Sequence, residues 1–190
     1  MIRWLKNLLG PKAPPPDPRQ ILAEAISEIG DPSLVPKAME LYDSPEAFDA
    51  YMYEAHLEPP WVSDDRAPRP GELGYEILWT VLEQNGRAGF IDWATGVIGI
   101  LDTFDELFVK AGVARFSVEQ RTELERLHEH AERGKAFRAL FKTLDRAAQE
   151  RGLEVTYRSL DHDAHYPVLL TPAAYKRWDN AMFAKGLPVI

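Results

Sequence analysis

The chain has 190 residues, 45% hydrophobic and 27% charged, with five Trp and no Cys. It is long and apolar enough to bury a core, which excludes a disordered chain, and the missing cysteines exclude a disulfide scaffold, thiolate metal sites and Cys nucleophiles. The net charge of -8 is uneven: residues 1 to 20 hold four cations against Asp17 alone, a balance of +3, which leaves -11 on residues 21 to 190 and favours a basic protein partner over nucleic acid.

The opening "MIRWLKNLLG" gathers Ile2, Leu5, Leu8 and Leu9 near one helical face, with Trp4 beside them. Four prolines before Asp17 then make an extended spacer, so residues 1 to 16 read as a basic amphipathic leader and residues 17 to 190 as one domain. Trp4, Leu5 and Leu8 suit contact with a membrane surface through residues 1 to 9, or docking of the leader on a partner or back on the body. No apolar run reaches the roughly 20 residues of a membrane span and no cleavable signal pattern opens the chain. The expected setting is the cytoplasm, with peripheral contact at the inner membrane as the leader's contribution.

Asp17 and Pro18 are an N-cap and first helical residue, and Ile21, Leu22, Ala25, Ile26 and Ile29 form an inward stripe ending at Gly30. A second helix is predicted over Leu34 to Tyr42. A third starts at Ser44 and Pro45 and turns Phe48, Tyr51, Met52 and Ala55 inward. The stretch "EPPWVSDDRAPRPGE" holds four prolines and predicts an irregular loop. Within it Trp61, flanked by Asp64 and Asp65, either anchors a partner or pins the loop to the core. "GELGYEILWTVLEQNG" is apolar around most of its circumference and predicts a central helix.

A short strand is expected at Phe90 to Trp93 and a helix from Asp102 to Ala111, the glycines at 89, 96 and 99 arguing against an earlier start. Another helix begins at Ser117 with Leu124, Leu127 and Ala131 inward. The next carries Phe137, Leu140, Phe141, Leu144 and Ala148 and ends at Gly152. The period then changes to two: Leu153, Val155 and Tyr157 face one way, mirrored after a turn by Tyr166, Val168 and Leu170. Thr171 and Pro172 cap a last helix carrying Tyr175, Trp178 and Met182. The fold class is α+β, a mainly helical body with a small antiparallel sheet that includes a C-terminal β-hairpin followed by a helix.

Candidate chemistry is sparse. Asp161, His162, Asp163 and His165 are residue types that bind zinc or iron, but they fall at the hairpin tip, where Asp also serves turn geometry. His128 and His130 diverge by roughly 200 degrees on a helix and cannot share an ion. Asp102, Asp105 and Glu106 offer carboxylates for acid/base work, or serve the dipole of a helix start. No phosphate loop, nucleophile elbow or dinucleotide fingerprint is present, so no cofactor is expected.

The leader and proline spacer, the central "FIDW" and the closing "DHDAHYPVLLTPAAYKRW" resemble a family of uncharacterised bacterial proteins with a domain of unknown function. In size, acidity and α+β layout the chain is also similar to the immunity proteins that neutralise bacterial toxins. The resemblance implies a bacterial cytoplasmic protein and carries over no active-site residue. The leading expectation is a non-enzymatic protein-binding module, an immunity-type inhibitor of a basic toxin. The alternative is a hydrolase-like enzyme built on the acidic residues or on metal at the hairpin tip.

Overall fold

The computed structural model describes residues 17–54, 69–92, 94–128, 135–160 and 164–183. Capping sets where the first helices start. The Asp17 carboxylate accepts from the Arg19 amide at 3.0 Å, and α1, Pro18–Ala25, continues into a π turn, Ile26–Gly30. Asp31 caps a 3-10 turn, Pro32–Leu34, that leads into α2, Val35–Asp43. The Ser44 hydroxyl accepts from the Ala47 amide at 3.3 Å and opens α3, Pro45–Glu54.

These elements close on α4, Pro70–Gln84, in which every residue from Leu73 to Leu82 is buried. The helix starts inside the proline-rich stretch expected to be irregular throughout. Proline forfeits no hydrogen bond at the first helical position, and Glu72 reaches back to the Arg69 amide at 3.1 Å. Gly86, at φ 65°, ends the helix in the left-handed region.

The middle of the chain departs further from expectation. Strand β1 is Ile91–Asp92, with Phe90 before it and Trp93 outside the described residues, and α5 runs Val97–Lys110, five residues ahead of the predicted start. Gly99 costs about 1 kcal/mol inside a helix. Ile100, Leu101, Phe104, Leu107 and Phe108 are all buried from that helix, at about 1.5–3 kcal/mol each, so burial decides. Helix α6, Val118–His128, buries Leu124, whereas Leu127, expected inward, is 57% exposed because the helix meets its neighbours along one narrow line. Helix α7, Lys135–Gln149, stops three residues before Gly152, whose φ of 74° closes the turn into the sheet.

The hairpin is β2, Glu154–Leu160, with β3, Ala164–Leu170, and the antiparallel sheet has the order β1-β3-β2. Helix α8, Pro172–Phe183, follows, the Thr171 hydroxyl accepting from the Ala174 amide at 3.2 Å. The predicted mirror of the two strands is offset by one residue. Val155 pairs with Leu169 and Tyr157 with Pro167, while Tyr166 and Val168 sit opposite Arg158 and Thr156. Directly opposed residues share a face, so Tyr166, Val168 and Leu170 lie on the face of Thr156 and Arg158, away from Val155 and Tyr157. Alternation could not show this, because both faces of the hairpin are buried. One face joins a core from α1 to α4 and α8; the other joins a second core from α5, α6 and α7, and the sheet lies between.

Val168 is fully buried in the first core and bridged to Ala88. Val168→Asp is expected to cost more than about 3 kcal/mol by burying an unpaired charge, while Leu127→Asp stays within about 0.5 kcal/mol as a surface change. Urea melts of the two variants check the contrast.

Candidate functional site

Tyr75, Trp79 and Glu83 recur every four residues on α4 and so form one ridge. Opposite this ridge the hairpin presents Arg158 and Tyr166, a directly opposed pair. Arg158 Nη2 donates to both carboxylate oxygens of Glu76 at 2.9 Å, and the two side chains are 13% and 10% exposed. The guanidinium lies 5.0 Å from the Tyr75 ring centre and 5.7 Å from that of Trp79. Trp79 in turn meets Tyr166 edge-on at 6.5 Å, and Tyr166 meets Phe90 at 5.3 Å. Phe90 is 51% exposed. The run Tyr75, Trp79, Tyr166, Phe90 therefore leads from the first core to the surface.

Electrostatics in this cluster are set by burial. It raises the Glu83 carboxyl above the usual range, against the opposing pull of Arg158. Burial likewise raises the Tyr75 hydroxyl, and raises that of Tyr166 with the charge of Glu83 adding to it. The Trp79 Nε1 is buried with no hydrogen-bond partner among the described residues. An unmet buried donor costs about 1–3 kcal/mol.

The other face carries a second group. The Tyr157 hydroxyl donates to Asp145 Oδ1 at 2.8 Å, and Phe141 lies 4.9 Å from the Tyr157 ring and 5.3 Å from that of His165. Burial drives the Tyr157 hydroxyl far up, helped by its bond to Asp145. It also raises Asp145, partly offset by that bond, and lowers His165. Burial disfavours the charge on Asp145, and the hydrogen bond that it accepts from Tyr157 favours it.

Of the residues singled out from the sequence, Trp4, Leu5, Leu8, Trp61, Asp64, Asp65, Asp161, His162 and Asp163 lie outside the described residues. His165 belongs to β3, opposite Ser159 and Ile91, and not to the tip. Among the described residues no three His, Asp or Glu side chains are placed to hold a metal ion, and no helix is long and apolar enough to cross a membrane. Asp102 and Asp105 are not at a helix start, since α5 begins at Val97. Asp105 is buried and accepts from the Phe116 amide at 2.8 Å and from Arg121 Nη1 at 3.1 Å. Asp102 accepts from Arg121 Nη2 at 2.6 Å. These carboxylates fasten α6 to α5.

Sequence reading missed Phe90, Glu83, Tyr166 and the Glu76–Arg158 pair as a unit. The four-residue spacing of Tyr75, Trp79 and Glu83 was a usable signal; the pairing with Arg158, 82 residues away, left none. Compared with family models, curated proteins and solved structures, the chain matches none. The likeness to immunity proteins thus rests on acidity and layout.

Removing one partner of the Glu76–Arg158 pair leaves the other charged and buried. Arg158→Met and Glu76→Leu singly are each expected to cost about 3–5 kcal/mol, and the double variant far less than their sum. A double-mutant cycle in urea measures the coupling, and additive losses would show that the pair acts as two separate surface charges.

Proposed function

We propose that the chain is a non-enzymatic protein-binding module for a basic protein, of the immunity type that inhibits a bacterial toxin. The observation that carries the reading is the aromatic run that surfaces at Phe90. An exposed aromatic ring backed by a buried one is a rigid anchor of the kind that dominates binding energy at interfaces. The charge of -11 over residues 21 to 190 favours encounter with a cationic surface. The paired groups Glu76 with Arg158 and Asp105 with Arg121 are engaged inside the fold, and Phe90 is the aromatic ring among the large hydrophobic side chains that the described residues expose.

The test is calorimetric titration with the basic proteins encoded beside this gene, at low and high salt. Phe90→Ala is expected to weaken the complex about tenfold or more, with unchanged melting temperature and with affinity falling as salt rises. Absence of any complex with those proteins, or a variant that binds like the wild type, overturns the reading.

A second reading, a hydrolase-like enzyme, draws on the Asp145–Tyr157 pair with His165 beside it. Under that reading Asp145→Asn removes turnover by at least about a hundredfold while the melting temperature changes little. A screen of ester, amide and phosphoester substrates, with and without divalent metal, is the measurement. Turnover that survives in Asp145→Asn sinks this alternative.

A further inference from the structure

The sheet has two unlike edges. At one, the segment that carries β1 covers β3: the Gly89 amide donates to the Pro167 carbonyl at 2.9 Å, and Ala88 bridges to Val168. The other edge is β2, with no strand beyond it among the described residues. The Gly89 bond also fixes which way β2 turns its backbone. In an antiparallel strand the N–H and C=O of one residue point to the same side, and the sides alternate along the strand. Pro167 turns its carbonyl away from β2, so Tyr157, directly opposite it, turns its own N–H and C=O away from β3. Val155, two residues earlier, does the same. These backbone groups have no hydrogen-bond partner among the described residues, and Val155 and Tyr157 are only partly buried. Nothing in the strand blunts this edge: its seven residues include no proline and no lysine, and its register with β3 runs without a bulge.

The side chains of β2 say what fits there. Laid antiparallel on itself about Thr156, the strand sets Glu154 opposite Arg158, Val155 opposite Tyr157 and Thr156 opposite its own copy. An opposite-charge pair, a β-branched–aromatic pair and a Thr–Thr pair are all kinds that stabilise neighbouring strands. The same alignment brings the outward N–H and C=O of Val155 against those of Tyr157, so that the unpaired groups satisfy one another. Centring the pairing on Val155 or Tyr157 instead loses the charge pair and the β-branched–aromatic pair. Glu154 is held only by Gln149 Nε2 at an exposed 3.1 Å contact, and a guanidinium has five donors, so Arg158 can keep Glu76 on Nη2 and meet Glu154 with the others. We infer that β2 pairs with β2 of a second copy of this chain, with Thr156 on the two-fold axis, joining the two sheets into one. A two-fold interface has to be self-complementary, and this stretch is. The inference is independent of the protein-binding reading, because Phe90 precedes β1 at the opposite edge of the sheet.

The experiment uses the full chain. Sedimentation velocity over about 1 µM to about 1 mM protein reads the oligomeric state, and amide hydrogen exchange by NMR at both ends of that range reads the edge. A monomer is expected at the low end and a dimer at the high end. Exchange of the Val155 and Tyr157 amides should slow at least about tenfold as the dimer forms, whereas the Thr156 and Arg158 amides, which face β3, should change little. Val155→Pro removes an outward donor without removing a bond to β3, and Glu154→Arg sets two cations against each other across the axis. Each is expected to raise the dimer dissociation constant at least about tenfold. Melting curves at the low concentration show which variants are folded, and Glu154→Arg carries the test should Val155→Pro not fold. A monomer at every concentration overturns the inference and leaves the edge to a strand of another protein. Val155 and Tyr157 amides protected equally at both concentrations show that the chain covers its own edge, which overturns it too. A dimer that Glu154→Arg leaves intact, or in which those amides exchange freely, is built on another surface and likewise overturns it.

Discussion

The structure depends on a hairpin buried on both faces. A strand pair with helices on each side leaves no row of side chains for water, so each polar residue on it has to be matched by a group from one of the two cores. Arg158 is matched by Glu76 of α4 and Tyr157 by Asp145 of α7. The two matches point in opposite directions. Together they tie the helices that precede the sheet in the chain and those that lie between its strands to the same seven-residue strand.

This constraint explains why the chemically rich side chains collect around the hairpin without forming an open reaction centre. A buried ion pair adds little stability over apolar packing, but it penalises any packing that separates its partners. Here it holds the Tyr75 to Tyr166 aromatic run in register with α4, and that register brings Phe90 out beside Tyr166. Exposure of Phe90 is thus linked to a pair buried on the same face. The close approach at Gly89, where an added Cβ would fall 2.4 Å from the Thr103 methyl and 3.2 Å from Pro167, fixes the segment that carries the ring.

Local chemistry was legible wherever a short stretch decided the outcome. Asp17 with Pro18, Ser44 with Pro45 and Thr171 with Pro172 each start a helix where proline and a side-chain cap say it should. The apolar circumference of α4 announced its central position, and the two-residue alternation after Gly152 announced the hairpin. Where distant contacts decided, the sequence was silent or misleading. Gly99 argues against a helix until the five buried side chains of α5 are counted. Tyr166 and Val168 match the alternation of Val155 and Tyr157 in pattern, yet the register places them on opposite faces. The candidate site fared worst, since Trp79 and Tyr166 are brought together only by packing α4 on the sheet.

The attachment of α6 differs from that of every other helix around the second core. Its only buried side chain is Leu124, so it gains little from apolar burial. It is held instead by Arg121, which reaches Asp102 and Asp105 of α5, and by Arg151, which donates to Gln120 at 3.4 Å, while Asp105 also receives the Phe116 amide at the entry to the helix. A helix anchored by two guanidinium groups and one apolar residue can detach as a unit while the aromatic packing of Phe104 and Phe108 below it stays closed. Its amides should then exchange with solvent by a sub-global opening well below the free energy of whole-chain unfolding, making the outer wall of the second core the first part of the fold to yield.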